Sequence, residues 1–259
     1  MKKEKLTIIK VGGKIVEDEP ALMRLLVDFS SITGKKLLVH GGGRSATALA
    51  ARLGIETKMV EGRRITDDAM LEVVVMVYGG LVNKRIVAGL QAVGVNAVGL
   101  TGADMDVVLS VRRPAGKVDY GWVGDVRRVN ADAVSMLIEN GCCPVIAPIT
   151  HDGEGHLLNT NADTMAGETA KALAQRYEVE LVYCFEKAGV LSDGNDDNSV
   201  IKEINSCKYK ELKDSGVVSG GMIPKLDNAF ACISAGVSRV VITRADLIAD
   251  ADAGTKIAG

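Results

Sequence analysis

Two lysines and an aspartate, each beside a cluster of small residues, are the side chains of this sequence best suited to chemistry. They are Lys10 in Lys10-Val11-Gly12-Gly13, Asp163 in Asn159-Thr160-Asn161-Ala162-Asp163, and Lys225 in Gly220-Gly221-Met222-Ile223-Pro224-Lys225. A further glycine run, His40-Gly41-Gly42-Gly43, follows a short apolar segment. Glycine where a strand turns into a helix lets backbone N–H groups approach an anion closely. Two such turns with two lysines describe a place for a triphosphate, and hence a phosphoryl-transfer enzyme.

The elements that must position these groups alternate along the chain. Leu6–Val11 reads as a buried strand, Pro20–Ile32 as a helix entered through Pro20, Lys36–His40 as a strand, and Arg44–Leu53 as a helix ended by Gly54. Residues 67–92 are largely helical with an interruption at Gly79-Gly80, and Ala97–Leu100 is a strand. Val107–Arg113 and Lys117–Val123 read as a hairpin across Pro114-Ala115-Gly116, followed by a helix over 131–140 and a central strand Val145–Ile149. Beyond it come a helix over 162–176, the strand Glu180–Phe185, a helix over 222–235 and the strand Arg239–Ile242. Strands alternating with helices predict an α/β fold with a mainly parallel sheet covered on both faces.

Composition narrows the function. The chain has 259 residues, 47% hydrophobic and 25% charged, enough to bury a large core. A net charge of -2 gives no nucleic-acid surface or basic membrane patch, and 3% aromatic residues leave no stacking platform. No apolar run has the length of a membrane span, and the basic start is followed by a strand, not a signal core, so a cytoplasmic protein is expected. The five cysteines form no C-x-x-C pair and the three histidines are scattered, so no protein-held metal site is expected. Cys142 and Cys143 read as packing residues, and Ser192–Ser199 as an exposed acidic loop. No G-x-x-x-x-G-K-[ST] occurs, which excludes a P-loop, and no G-x-S-x-G, which excludes the esterase elbow. Gly41-x-Gly43-x-x-Ala46 matches a dinucleotide fingerprint, but Glu61, at the right distance for its acid, sits in the turn-like Glu61-Gly62-Arg63-Arg64.

The ordered set Lys-x-Gly-Gly, His-Gly-Gly-Gly, Gly-x-Arg-Ile-Thr, Asn-x-Asn-Ala-Asp and Gly-Gly-Met-x-x-Lys resembles the amino acid kinase family, in its acylglutamate branch, over nearly the whole chain. The resemblance implies one domain over residues 1–259, a three-layer sandwich around the sheet. Its lobe 1–175 would bind the acylated amino acid and its lobe 176–259 the nucleotide. It implies phosphorylation of the side-chain carboxylate of an N-acyl-glutamate by ATP, with Mg2+ riding on the ATP phosphates. Such a carboxylate is already ionised at neutral pH, so no general base is needed, and catalysis rests on positioning and charge neutralisation. Lys10 and Lys225 would neutralise the phosphates, Asp163 would organise both lysines, and Gly13 would donate its N–H to the moving group. Gly42, Gly43, Arg64 and Asn159 would hold the substrate, with Arg64 on its α-carboxylate.

Gly12, Glu186, Lys187, Gly189 and Gly221 would bind the nucleotide, although Phe185-Glu186-Lys187-Ala188-Gly189 departs from the family's Ser/Thr-Asp-Val-x-Gly. Arg63, where the family has an apolar residue, reads as solvent-facing or as a contact for a dicarboxylic acyl group such as succinyl. His40 receives no catalytic role. The apolar Met70–Val82 must be buried on more than one face, as a central core helix or, as the resemblance implies, at a two-fold homodimer interface; a first strand near Leu6 leaves no room for the N-terminal helix of the family's arginine-inhibited hexamers, so an arginine-insensitive dimer is expected. A dinucleotide-binding protein or an inactive sensor of the same fold are the readings outside this class.

Overall fold

The computed structural model describes residues 3–250 and 252–259. In chain order its elements are β1 (Lys5–Val11), α1 (Gly13–Glu17), α2 (Glu19–Ser31), β2 (Lys35–His40), α3 (Gly43–Arg52), β3 (Met59–Val60), β4 (Arg63–Arg64), α4 (Asp68–Val74), α5 (Asn83–Ala92), β5 (Ala97–Leu100), β6 (Val108–Arg112) and β7 (Gly124–Val129). There follow α6 (Ala131–Glu139), β8 (Cys143–Ile146), β9 (Ile149–His151), β10 (Leu157–Asn159), α7 (Ala162–Leu173), β11 (Glu178–Phe185), β12 (Glu203–Ile204), α8 (Ser206–Asp214), α9 (Met222–Ser234), β13 (Arg239–Arg244) and β14 (Thr255–Ile257).

One eight-stranded sheet runs in the order β12-β14-β13-β11-β1-β2-β8-β5. Among the described residues, only β13 and β14 pair antiparallel within it. Alternation in β1 divides the core: Leu6 and Ile8 pack under α6, α7 and α9, while Ile9 and Val11 pack under α2, α3 and α4. Lys10 falls on the α7 face, one step beyond Ile8, where the strand runs out of core. The chain leaves β1 toward β2 on one side and receives β11 on the other. The crevice outside the carboxyl ends of such strands is where open α/β sheets bind ligands.

The structure corrects three expectations and bears out the turn at Glu61-Gly62. Gly79-Gly80 does not interrupt its helix: α4 continues through a π-helical stretch, Val75–Val82, into α5 as one 25-residue helix. By length and composition this helix could cross a membrane, but half of its most apolar window is buried inside the fold. The partner of β6 is β7, not Lys117–Val123. Thr66 takes the backbone of that segment instead, donating to Tyr120 O at 2.9 Å and accepting from Trp122 N at 2.7 Å. Val145–Ile149 is two strands in two sheets, β8 and β9, divided at Pro148, which has no N–H to extend a ladder. The turn at Glu61-Gly62 is the tip of the β3–β4 hairpin, with both residues at positive φ. A smaller four-stranded sheet runs in the order β10-β9-β6-β7.

Candidate active site

Lys10 Nζ lies 2.7 Å from Asp163 Oδ1, and Lys10 is 6% exposed. The contact follows from the elements. Lys10 ends β1 on the α7 face, and Asn161 caps α7, accepting from the N–H groups of Asp163 and Thr164 at 2.9 and 3.0 Å. Asp163 therefore stands in the first helical turn, where a carboxylate is favoured. Phe185 shares the face of Lys10 because it follows Leu181 and Tyr183 along β11. Lys225, from α9, sits 3.7 Å from the centre of the Phe185 ring, and Lys10 lies 5.4 Å from it on its own strand. Burial lowers the Lys225 pKa and Lys10 adds to the effect, while Asp163 and Glu186 oppose it. Two cations and one carboxylate thus converge, the three residues that the family resemblance placed together.

The glycine turns meet edge to edge. A Cβ placed on Gly13 would lie 3.7, 3.9 and 4.0 Å from the amide nitrogens of Gly43, Gly42 and Arg44. Backbone amides from two turns therefore gather around one point, an arrangement that favours an anion. Gly42 is required on the other side as well, because a Cβ there would lie 2.9 Å from Tyr78 Cδ1. Tyr78 reaches that position from the π-helical stretch, a distortion common at functional sites.

A cavity of about 180 Å³ opens on one side of the turns, lined by Gly42, Gly43, Arg63, Arg64, Tyr78, Val123, Asn159 and Asn161 among others. Arg64 is 7% exposed, and it donates to Gly43 O at 2.7 Å, Thr47 Oγ1 at 2.8 Å and Thr57 Oγ1 at 3.2 Å. Asn159 is buried and donates to Thr66 Oγ1 at 2.9 Å. Arg63 lines the same cavity half-buried. Burial and the neighbouring Arg113 lower its pKa while Asp125 and Glu61 oppose them, although among the described residues no carboxylate forms an ion pair with it. Beneath the turn, His40 is fully buried and donates from Nδ1 to Gly41 O at 2.8 Å, while Asn83 Nδ2 donates to its Nε2 at 3.1 Å. Burial lowers its pKa to about 4, so it is neutral and structural.

A second cavity, of about 260 Å³, lies on the other side of Gly12 and Gly13 and is lined by Lys14, Phe185, Glu186, Lys187, Gly189, Met222 and Lys225. Glu186 bonds Lys14 Nζ, and Arg44 Nη2 lies 3.7 Å from it. The Lys14 bond, then burial acting in the opposite sense, leave its carboxyl below the usual range. Lys187 turns its amine to Asp197 in the acidic loop. Gly221 caps α9 and does not line the cavity. An open cleft of about 620 Å³ shares Gly43 and Arg64 with the first cavity and Gly13, Lys14 and Glu186 with the second.

Sequence reasoning missed Lys14, Arg44, Tyr78 and Asn161. A signal existed for Arg44. A cation in the first turn of α3 is as anomalous as Lys225 in α9. Tyr78 left no such trace, because the π-helical turn that aims it is a product of packing.

A mainly parallel sheet with two lysines, an aspartate and facing glycine turns at its switch point is the arrangement of a phosphoryl-transfer enzyme. The chain belongs to the amino acid kinase family, whose model matches residues 5–244. It is 68% identical over 246 residues to the acetylglutamate kinase of Phocaeicola vulgatus, covering 95% of this chain and 96% of that one. It is 64% identical over 255 residues to the acetylglutamate kinase of Bacteroides thetaiotaomicron, covering 98% and 99%. Among solved structures, smu.665 from Streptococcus mutans superposes with a TM-score of 0.81 at 29% identity, covering 97% of this chain and 98% of that one.

Proposed function

We propose that this protein transfers the γ-phosphoryl group of ATP to the side-chain carboxylate of N-acetyl-L-glutamate, giving the acyl phosphate, a step of arginine biosynthesis. The observation that carries the proposal is the placement of the Lys10–Asp163 pair and the Gly13 amide cluster between two cavities that open in different directions. The names of the relatives agree with it.

In this reading the first cavity holds the acylated amino acid, with Arg64 on its α-carboxylate and Asn159 on its amide or carboxylate. The second holds the nucleotide along Gly12, Lys187 and Gly189, with Glu186 at its rim and Gly221 at its edge. The acceptor carboxylate attacks in line, and its approach to a polyanion is the chief electrostatic cost. Lys10 and Lys225 neutralise the charge, Asp163 fixes Lys10 and attracts Lys225, and the amides of Gly13, Gly42 and Gly43 receive the equatorial oxygens. Lysines already engage both Asp163 and Glu186, so Mg2+ enters on the phosphates, whose charge it neutralises. Lobe 1–175 carries the acylated amino acid and lobe 176–259 the nucleotide. The protein works in the cytoplasm as a homodimer through the long apolar helix.

The test is ADP release by the purified protein with N-acetyl-L-glutamate and ATP. Turnover that depends on both supports the proposal, and none with any N-acyl-glutamate removes it. One observation favours a second acyl group: Arg63 faces the first cavity with no acid partner among the described residues, while its neighbour Arg113 is held by Asp125 at 3.0 Å. A succinyl carboxylate would supply that partner, with ~1.5–3 kcal/mol from a charge-assisted bond. Comparing kcat/KM for N-acetyl- and N-succinyl-glutamate in the parent and in Arg63→Leu decides it. Preference for acetyl in both proteins removes the succinyl reading.

A further inference from the structure

Two cations, Lys14 in the second cavity and Arg44 in the open cleft beside it, have no part in the chemistry above. Lys14 follows Gly13 at the start of α1, and Arg44 is the second residue of α3. Arg44 opposes the dipole of its helix unless an anion stands near it. Both turn to one carboxylate, Glu186, just beyond the end of β11. All three side chains line the open cleft, so three elements from both halves of the sheet meet in one cluster.

The cluster is built differently from the pair behind it. The side chains of Lys10 and Asp163 are 8% and 18% exposed, whereas those of Lys14, Arg44 and Glu186 are 49%, 59% and 53% exposed. Exposed ion pairs contribute little and exchange partners readily. A phosphate offers more charge and more acceptor oxygens than one carboxylate, and a guanidinium matches its geometry.

We propose that Lys14 and Arg44 are two further phosphate-binding residues, and that Glu186 is their exchangeable counter-ion, displaced when the nucleotide's polyphosphate enters the cleft. The proposal rests on the ATP-dependent reading above and deepens it. Without nucleotide, Glu186 occupies both cations and keeps the mouth from collecting stray anions. With nucleotide, it competes for them from within, which speeds the departure of ADP after transfer.

The experiment measures binding of ADP and of inorganic tripolyphosphate by calorimetry, without the acylated amino acid. The proteins are the parent, Glu186→Gln, Lys14→Gln, Arg44→Gln and the triple variant. Removing the internal competitor is expected to tighten both probes several-fold in Glu186→Gln. Lys14→Gln and Arg44→Gln are each expected to weaken them by about tenfold. In the triple variant the gain from Glu186→Gln disappears, because no cations remain to be freed. Melting temperatures near the parent's are expected, since all three side chains are exposed.

Weaker binding in Glu186→Gln would make Glu186 a ligand of the nucleotide and overturn the proposal. Unchanged binding in both cation variants, or a gain that persists in the triple variant, would overturn it as well. Failure of the functional reading is seen separately: the parent would release no ADP with N-acyl-glutamates while still showing this pattern of binding.

Discussion

On one side of the cleft Arg64 is buried, and its guanidinium donates to a backbone carbonyl and two hydroxyls. On the other side Glu186 is half exposed and is held only by the tips of Lys14 and Arg44. Each arrangement suits what it would bind. A small acylated amino acid differs from its competitors in shape and in the placement of a few polar atoms. Recognising it requires groups that are already fixed, because an ordered donor loses little freedom on binding. A polyphosphate is recognised by charge, and charge can be met by side chains that move. The Lys10–Asp163 pair lies between the two and belongs to the fixed side in burial and to the charged side in chemistry.

That position makes Lys10 the most sensitive point in the molecule. Lys10→Ala is expected to lower kcat by two to three orders of magnitude, about 3 kcal/mol in the barrier, as for the loss of one preorganised charge stabiliser. Lys225→Ala should do the same from the other wall. Folding, followed by thermal melting, should change less than turnover in both. Near-normal kcat in either folded variant would end the assignment of these lysines to the reacting phosphoryl group.

The fixed side also carries a cost in acid. His40 holds the glycine turn in its neutral form, with its pKa lowered from 6.5 to about 4 by complete burial. Its folded-state pKa lies below its unfolded one. It therefore contributes fully above about pH 6.5, and that contribution is lost progressively as pH falls toward about 4, while the unfolded chain takes up the proton first. A shift of this size corresponds to ~3 kcal/mol at most. The melting temperature of the parent should drop more steeply between these pH values than that of His40→Gln. Parallel curves would show that His40 is not the sensitive group.

The glycines extend the contrast to the backbone. Gly42→Ala would set a methyl 2.9 Å from the Tyr78 ring, which is itself packed under the turn. Overpacking of that kind costs ~1–3 kcal/mol, and here it would also displace the amides of Gly42 and Gly43, so KM for the acylated substrate should rise with the loss of stability. Gly221→Ala meets nothing within 4 Å and has φ -66, so it should change melting and kinetics little. Equal effects at the two sites would erase the distinction between a fixed side and an adaptable one.

The same distinction separates what could be read in the sequence from what could not. Lys10, Asp163 and Lys225 were legible because each is tied by short-range rules to a strand end or a helix start. Lys10 closes an apolar strand just before Gly12-Gly13, a cation at a helix start made Lys225 anomalous, and the resemblance marked Asp163 between them. The β6 partner was not legible, because Thr66, more than fifty residues away from Tyr120, competes for the same backbone groups. The π-helical stretch was hidden for a related reason. Gly79-Gly80 breaks an isolated helix, but here the surrounding core and Thr101, 3.3 Å from a Cβ at Gly79, hold the chain in a wider turn. Lys14, Arg44 and Glu186 could each be named in the sequence, yet their meeting depends on β1, β2 and β11 being neighbours.

The smallest effect is expected where the structure shows the most conspicuous contact. Lys14 and Glu186 are in direct contact, and Arg44 stands beside them, which looks like a staple between the two halves of the molecule. Magnitudes argue otherwise. With side chains 49% and 53% exposed, the pair is screened by water and salt, and ordering two long side chains offsets much of the attraction. Its contribution to folding should lie under ~1 kcal/mol. Glu186→Gln should therefore melt within a few degrees of the parent, and the small difference should vanish as ionic strength rises past the point where the screening length falls below ~10 Å. Burial of the partners would predict the opposite, as it does for Lys10 and Asp163. If Glu186→Gln instead unfolds markedly earlier at all salt concentrations, the cluster is a structural clasp. The adaptable side of the cleft would then be as fixed as the other, and nucleotide entry would have to work against the fold rather than with a loosely held counter-ion.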